Sequence, residues 1–219
     1  MAIVSHRHRI VLFPLAKCGS TSLKHMFFVM ETGKNLAQAK MEFGLPGHVH
    51  NYYPGKEKEE WLKYYDHYET IVVIRDPIER LLSTYGNRVV HAEAIKRSEA
   101  RRNSKLLGDL PAVPDLSTFV DNLEIYLKAS ARLERHVVSQ ATVVGNIFHK
   151  IKNVYKMSQL NEIPDLLSKR RQLDLELPHK QTSGPKFKLS DLRHDQIDTL
   201  IRYYADDYEM LRNYYKPPV

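Results

Sequence analysis

The chain has 219 residues, enough for one substantial core, and it lacks the internal repeat or Ser/Gly linker that would indicate two domains. We therefore predict a single domain over residues 1–219. With 33 Lys and Arg against 26 Asp and Glu, the formal net charge is +7, which favours phosphates, acidic glycans, nucleic acid or an anionic membrane surface without selecting among them.

The first predicted unit is a strand, a polar loop and a helix. Residues 10–13 form an apolar run of strand length, which Pro14 ends. Gly19 permits a tight turn, Ser20 or Thr21 can cap a helix, and the apolar residues from Leu23 onward keep helical spacing. Backbone N–H groups at a helix start attract anions, and Lys17 adds a full positive charge. The sequence therefore predicts a phosphate-binding site at this loop.

Further along the chain, two more strands are predicted at 70–74 and 153–157, and helices are predicted to follow each of them. A short helix within 33–47, a short strand or its exit at 48–51, a surface helix at 56–67 and a mobile basic segment at 96–105 complete the expectations for the first half. Residues 173–188 are predicted to form a loop, and a final helix is expected from Ser190. Strands that alternate with helices predict an α/β fold with a central, mainly parallel sheet flanked by helices.

The loop at Lys17 is not a P-loop of the nucleotide triphosphatases, because the Gly-x-x-x-x-Gly-Lys-Ser/Thr pattern is absent. It resembles the 5′-phosphosulfate loop of sulfotransferases that use 3′-phosphoadenosine 5′-phosphosulfate (PAPS), especially the Golgi carbohydrate enzymes with Lys-x-x-Ser-Thr-Ser. The resemblance implies a three-layer, P-loop-NTPase-like fold. It also implies a donor-binding loop made of Lys17, Cys18, Gly19, Ser20, Thr21 and Ser22.

A second motif resembles the 3′-phosphate site of the same family. Arg75 ends a predicted strand, and Ser83 follows eight residues later on the next helix. In the family, these two side chains hold one phosphate. The alternatives are an ion pair of Arg75 with Asp76 or Glu79, and an ordinary helix hydroxyl at Ser83.

The resemblance implies in-line transfer of a sulfonate group, with Lys17 reaching the bridging oxygen of the leaving phosphate. A base is needed on the acceptor side, and glycan 2-O-sulfotransferases carry a His-x-His similar to His48-Val49-His50. A histidine side chain can take a hydroxyl proton at physiological pH because its ordinary pKa is about 6.5. In an extended segment both rings would face one side, so either is a candidate. A surface histidine pair is the alternative, and the pair alone is an incomplete metal site.

Two other stretches resemble Golgi-type enzymes more loosely. Residues 135–140 look like a His-x-x-Pro-Gln segment in which Ser139 replaces proline, so a substrate role for His136 is in doubt and a packed histidine is favoured. The late loop carries Lys180, Ser183 and Lys186, where these enzymes often close over the donor. These three side chains are candidates for phosphate or adenine contacts, and a solvated loop is the alternative.

The composition predicts a cytoplasmic protein. No apolar run approaches a membrane span, no signal peptide is evident, and the chain contains no Asn-x-Ser/Thr acceptor. Cys18 is the only cysteine, which excludes an intrachain disulfide and suits a reducing compartment. The soluble catalytic domain of a Golgi membrane enzyme would have the same features.

The sequence thus predicts a sulfotransferase with PAPS as donor, adenosine 3′,5′-bisphosphate as product and no metal requirement. The expected acceptor is a carbohydrate hydroxyl, with an anionic glycan as one candidate; tyrosyl-protein, lipid and small-molecule acceptors stay open. A non-catalytic nucleotide-binding module, a Mg²⁺-dependent phosphoryl-transfer enzyme and a nucleic-acid binder are the rival functions. No nucleic-acid partner is expected, since no nucleic-acid-binding motif is recognised, and the oligomeric state is open.

Overall fold

A computed structural model describes residues 2–44, 47–53, 67–96, 106–171, 175–178 and 183–219. The chain divides into two compact units. The sheet unit comprises Met1–Ile74 and Asn146–Thr182, and the helical unit comprises Arg75–Gly145 and Ser183–Val219. The single domain expected over residues 1–219 stays a prediction.

Four strands of the sheet unit form one sheet, and their bounds are β1 Ile3–Ser5, β2 Ile10–Phe13, β3 Glu69–Ile74 and β4 Asn153–Lys156. The order in the sheet is β1-β2-β3-β4. β1 is antiparallel to β2, whereas β2 is parallel to β3 and β3 is parallel to β4. The α/β fold with a mainly parallel sheet is therefore confirmed. β1 was not predicted, because three residues are too few to show a pattern.

The α-helices occur in both units, and their bounds in chain order are α1 Ser20–Thr32, α2 Leu36–Phe43, α3 Pro77–Thr84, α4 Leu116–Asp121, α5 Leu123–Ala129, α6 Ala131–Val137, α7 Gln140–Val144, α8 Glu162–Arg171, α9 His194–Tyr203 and α10 Ala205–Met210. A π-helix at Tyr85–His91 continues α3. Short 3₁₀ helices lie at Val49–Tyr52, Gly145–Lys150, Met157–Gln159 and Leu189–Asp191.

The two central strands are apolar because both of their faces are buried. All four residues of β2 are buried, and β3 is buried from Thr70 to Ile74. Since β2 and β3 run parallel and pair from Ile10 opposite Glu69 to Phe13 opposite Val72, their carboxyl ends lie at the same edge of the sheet. The Lys17 loop begins at this edge, after β2.

The helical unit has its own core. Its buried side chains come from α3, the π-helix and helices α4, α5, α6, α9 and α10. Phe119, Tyr126, Leu133 and Leu200 are almost completely buried in this cluster. The core thus holds α3 and α6, whose residues form part of the candidate site below.

Two expectations for local structure are wrong. Residues 48–51 were expected to be a short strand or its exit, but Val49–Tyr52 is a 3₁₀ helix, because the N–H of Asn51 turns back to the carbonyl of His48 at 2.8 Å. The final helix starts at His194 instead of Ser190, after a separate 3₁₀ turn. Most of the surface helix expected at 56–67 and of the basic segment at 96–105 lies outside the described residues.

Candidate active site

The loop between β2 and α1 bends through two residues with left-handed backbone conformation. Lys17 has φ 63° and Gly19 has φ 69°. Alternation between right- and left-handed residues is the geometry in which consecutive N–H groups converge on an anion. The sequence-predicted phosphate loop therefore has backbone conformations suited to that ligand.

Helix α1 begins at Ser20 with the glycine Gly19 as its N-cap, and within the described part of the chain no side-chain cap hydrogen bond is made there. The prediction that Ser20 or Thr21 caps this helix is therefore wrong, because both hydroxyls lie inside the first turn. An N-terminus without a side-chain acceptor leaves the positive end of the helix to be balanced by another negative group. This arrangement favours an anion at the loop.

Burial separates the residues of this loop into two groups. Lys17 and Ser20 are partly exposed, whereas Cys18 is 1% exposed. Thr21 and Ser22 are also buried, at 7% and 6%. Lys17 and Ser20 are therefore accessible to a ligand, while the Cys18 side chain belongs to the core.

His48 and His50 lie side by side. Their rings stack with centroids 4.7 Å apart and planes 9° apart, although the segment is not a strand. The His50 ring also reaches α1, where Nδ1 is 2.9 Å from Nζ of Lys24 and Nε2 is 3.4 Å from Oγ1 of Thr21. The histidine pair therefore packs against the helix that follows the phosphate loop, and both belong to the sheet unit.

The contact of Lys24 with His50 was not predicted from the sequence. Partial burial lowers the pKa of its ammonium group. While protonated, this group can only donate, so Nδ1 of His50 is an acceptor and the ring carries its proton on Nε2. Lys24 thus selects one tautomer of His50.

Arg75 follows β3 and precedes α3, whose N-cap is Asp76. Oδ1 of Asp76 accepts the N–H groups of Ile78 and Glu79, each at 3.0 Å. Nε of Arg75 lies 3.5 Å from Oε2 of Glu79, a side chain that is 64% exposed. Nε is buried and has no hydrogen-bond partner among the described residues. Because the Glu79 side chain is exposed, its ion pair with Arg75 is weak, and a phosphate can take the place of the Glu79 carboxylate.

The backbone of Arg75 is held by Gln140, which is 1% exposed. Nε2 of Gln140 donates to the carbonyl of Arg75 at 2.8 Å, and Oε1 accepts the N–H of Arg75 at 3.2 Å. The Gln140 amide therefore bonds to both the N–H and the carbonyl of Arg75, the residue that directly follows β3. Gln140, the last residue of the His-x-x-Pro-Gln-like segment, therefore orients Arg75.

Arg80 is a second residue that sequence reasoning missed. It is 2% exposed, and its guanidinium donates to the carbonyls of His136, Val137 and Val138 at 2.7–3.0 Å. These carbonyls end α6 and have no helical partner of their own. Oδ2 of Asp207 lies 4.0 Å from Nη2 of this buried guanidinium. Arg80 thus joins α3 to the end of α6.

The described part of the late loop packs on the π-helix. Nδ2 of Asn87, four residues after Ser83, donates to Oγ of Ser183 at 3.0 Å. A Cβ at Gly86 would overlap the carbonyl oxygen of Pro185, so the two backbones meet closely. Ser183 therefore lies beside the helical run that carries Ser83. Lys186 is exposed, and Lys180 lies outside the described residues.

Comparison with known families decides the class of this protein. A model of the Sulfotransferase family matches residues 1–215. The chain belongs to this family. Comparison with curated proteins and with solved structures gave no match. Sulfonate transfer to an acceptor is therefore the class of its activity, and the resemblance seen in the sequence is confirmed at the level of the family.

His136 of this sulfotransferase has both ring nitrogens engaged. Nδ1 is 2.8 Å from the carbonyl of Arg132, and Nε2 accepts from Nε of Arg88 at 3.2 Å. A ring that donates through one nitrogen and accepts through the other is neutral. His136 is thus a packed histidine at the end of α6, as favoured from the sequence.

Within the described ranges of the sulfotransferase, no helix is long and apolar enough to cross a membrane. Across those same residues, no group of three or more His, Cys, Asp and Glu side chains could hold a metal ion.

Proposed function

We propose that this sulfotransferase transfers the sulfonate group of PAPS to a carbohydrate hydroxyl. The observation that carries the proposal is the phosphate loop. There, Lys17 and Gly19 have left-handed backbones and α1 starts without a side-chain cap. A phosphosulfate supplies the negative charge that this helix end favours.

The roles of the donor-binding residues follow the two motifs. Lys17 to Ser22 bind the 5′-phosphosulfate, and Arg75 with Ser83 binds the 3′-phosphate. Nε of Arg75 makes no hydrogen bond to the described residues, and its ion-pair partner Glu79 is exposed; both facts support this role, because a phosphate would give Nε a hydrogen-bond acceptor. Ser183 and Lys186, with Lys180, are proposed to contact the donor from the late loop.

The chemistry is an in-line displacement at sulfur. The acceptor oxygen forms a bond to sulfur while the bond from sulfur to the bridging phosphate oxygen breaks, and adenosine 3′,5′-bisphosphate leaves. The acceptor proton passes to a ring nitrogen of the His48–His50 pair. Negative charge develops on the leaving phosphate, where the Lys17 ammonium and the N–H groups of the loop stabilise it.

Carbohydrate is the preferred acceptor because the motifs are most similar to those of glycan enzymes. The His48–His50 pair is the feature shared with 2-O-sulfotransferases, and its packing against α1 keeps it next to the helix that begins at the donor loop. The net charge of +7 is compatible with an anionic glycan.

Radiolabelled sulfonate transfer tests this function. The purified protein is incubated with labelled PAPS and a mixed acceptor extract, and the labelled product is identified. We expect a labelled carbohydrate, and we expect Lys17→Ala to slow its formation by roughly 10²–10³-fold, as loss of one oxyanion donor does in other enzymes. Thermal unfolding should change little, because Lys17 is partly exposed.

The matched control is Lys128→Ala, which removes an exposed lysine from α5. Full activity of Lys17→Ala would contradict the role of that residue. Binding of adenosine 3′,5′-bisphosphate without transfer to any acceptor would instead favour a nucleotide-binding module.

A further inference from the structure

Tyr208 of α10 bonds to the residue that follows Arg75 in the chain. Its hydroxyl donates to Oδ2 of Asp76 at 3.2 Å. The other carboxylate oxygen, Oδ1, accepts the N–H groups of Ile78 and Glu79 as the N-cap of α3. The Asp76 carboxylate is therefore held by two elements, and Tyr208 is buried where it makes this bond.

The Tyr208 hydroxyl is a permanent donor to Asp76. Burial and the charge of Asp76 raise the pKa of this hydroxyl, so it stays protonated at physiological pH. Burial also raises the pKa of the Asp76 carboxyl, and the bond from Tyr208 acts in the opposite direction. The bond thus favours the ionised carboxylate, the form that best caps a helix start.

The preceding residue of α10, Asp207, supports Arg75 from the other side. Oδ1 of Asp207 accepts the N–H of Ala141, in the first turn of α7, at 2.6 Å. The residue before Ala141 is Gln140, whose amide bonds to the N–H and the carbonyl of Arg75. Two consecutive residues of α10 therefore hold the two segments that fix the Arg75 backbone.

The Arg75 side chain stays accessible to a ligand. It is 24% exposed, and its ion-pair partner Glu79 is 64% exposed. An arginine recognises a phosphate through paired N–H donors, so the direction of the guanidinium matters as much as its charge. A side chain whose backbone is fixed before the ligand arrives loses less conformational entropy on binding.

We propose that Tyr208 and Asp207 are positioning residues that fix Arg75 for recognition of the 3′-phosphate of the donor. The residues of these contacts all belong to the helical unit. The inference rests on the proposed function, which assigns the 3′-phosphate to Arg75 with Ser83. It adds that selectivity for a nucleotide with a 3′-phosphate depends on α10, through its bonds to Asp76 and Ala141.

The test compares adenosine 3′,5′-bisphosphate with adenosine 5′-phosphate, which lacks the 3′-phosphate, by calorimetric titration. Wild type should bind the bisphosphate more tightly, and Arg75→Gln should lose most of that preference. Tyr208→Phe keeps the ring and removes the donor. We expect it to lower the ratio of the two affinities by about 3- to 10-fold, the value of one hydrogen bond, with adenosine 5′-phosphate bound as in wild type.

Tyr204→Phe is the matched control. Tyr204 is also buried, and its hydroxyl donates to the carbonyl of Val137 at 3.0 Å, a bond that does not involve Arg75 or Asp76. This variant should lose similar thermal stability and keep the wild-type ratio. Asp207→Ala should lower the ratio, whereas Asp207→Asn, which keeps an acceptor oxygen for the N–H of Ala141, should retain it.

A wild-type ratio in Tyr208→Phe, or an equal fall in Tyr204→Phe, would overturn the inference and leave the proposed function standing. Should Tyr208→Phe not fold, equal ratios in Asp207→Ala and Asp207→Asn would overturn it instead. A wild type that binds the two nucleotides equally, or an Arg75→Gln variant that keeps the full preference, would contradict the 3′-phosphate site of the proposed function, and the inference with it.

Discussion

His48 and His50, the two candidates for the general base, differ in the hydrogen bonds that their ring nitrogens make. Both ring nitrogens of His50 have partners on α1, and one of these partners is the ammonium of Lys24 at 2.9 Å. His48 is exposed, and its Nδ1 accepts only a long bond of 3.4 Å from the N–H of His50. Because both ring nitrogens of His50 already have hydrogen-bond partners, this ring cannot readily take a proton, and His48 is the better base. His50 positions His48 by stacking on its ring.

We expect His48→Ala to lower kcat by about 10²–10⁴-fold, the usual contribution of a general base, and His50→Ala to lower it less. Initial rates at saturating donor and acceptor measure both, with donor affinity determined separately. His149→Ala, which removes an exposed histidine of the 3₁₀ helix Gly145–Lys150, serves as the control. The opposite ranking would make His50 the base, and two fully active variants would exclude the pair.

The residues that the sequence did not reveal act through contacts distant in the chain. Gln140 holds the backbone of Arg75 across 65 residues, and Arg80 reaches the end of α6 across 56 to 58 residues. Gln140 ends a segment that resembles a family motif, but the sequence does not show that its side chain bonds to Arg75. Nothing in the spacing of Arg80 distinguishes it from a surface polar side chain. Lys17 and Gly19 were predictable because a loop and the helix after it are local, and their chemistry depends on neighbours in sequence.

At the level of elements, the strands were predictable and the caps were not. β2 and β3 are continuous apolar runs, and burial of both faces of a parallel sheet demands such runs. The cap of α1 was misassigned because Ser20 and Thr21 are residue types that cap helices, whereas Gly19, with its left-handed backbone, is the N-cap. The 3₁₀ helix after His48 has only four residues, too few to show a hydrophobic periodicity in the sequence.

Gly19 and Gly33 allow a matched test of the loop, since they flank α1 with φ 69° and φ 70°. An alanine in this conformation costs roughly 1–2 kcal/mol at either position. Only at Gly19 would the new Cβ meet a neighbour, Cδ2 of Leu160 at 2.7 Å, while Gly33 has nothing within 4 Å. The Leu160 methyl group can shift to make room, but the backbone strain of an alanine at Gly19 falls on the phosphate loop, whereas the strain at Gly33 falls at the opposite end of α1.

We expect Gly19→Ala and Gly33→Ala to lose similar free energies of unfolding in urea. Only Gly19→Ala should lose transfer activity, by about 10-fold or more, because loop N–H groups shift from the developing charge. Equal activities in the two variants would show that the conformation of the loop at Gly19 does not matter for transfer.

Over the whole molecule, the family match covers residues 1–215 and so includes residues of both units. Stability of the chain toward acid depends on buried carboxylates of the helical unit. Asp207 is fully buried, and burial raises its pKa despite the bond that Oδ1 accepts from the N–H of Ala141 at 2.6 Å. Oδ2 is 4.0 Å from Arg80 and has no hydrogen-bond partner among the described residues.

A raised pKa in the folded state means that ionised Asp207 opposes folding. This cost is present above the folded-state pKa and is lost as the pH falls toward the unfolded value of about 3.9. The free energy of unfolding of wild type, relative to that of Asp207→Asn, should therefore increase between about pH 7 and about pH 4. Urea titrations across this range measure the difference, with Asp206→Asn, an exposed carboxylate of α10, as the control. A difference that is constant or shrinks with acid would mean that Arg80 stabilises the Asp207 carboxylate more than burial disfavours it.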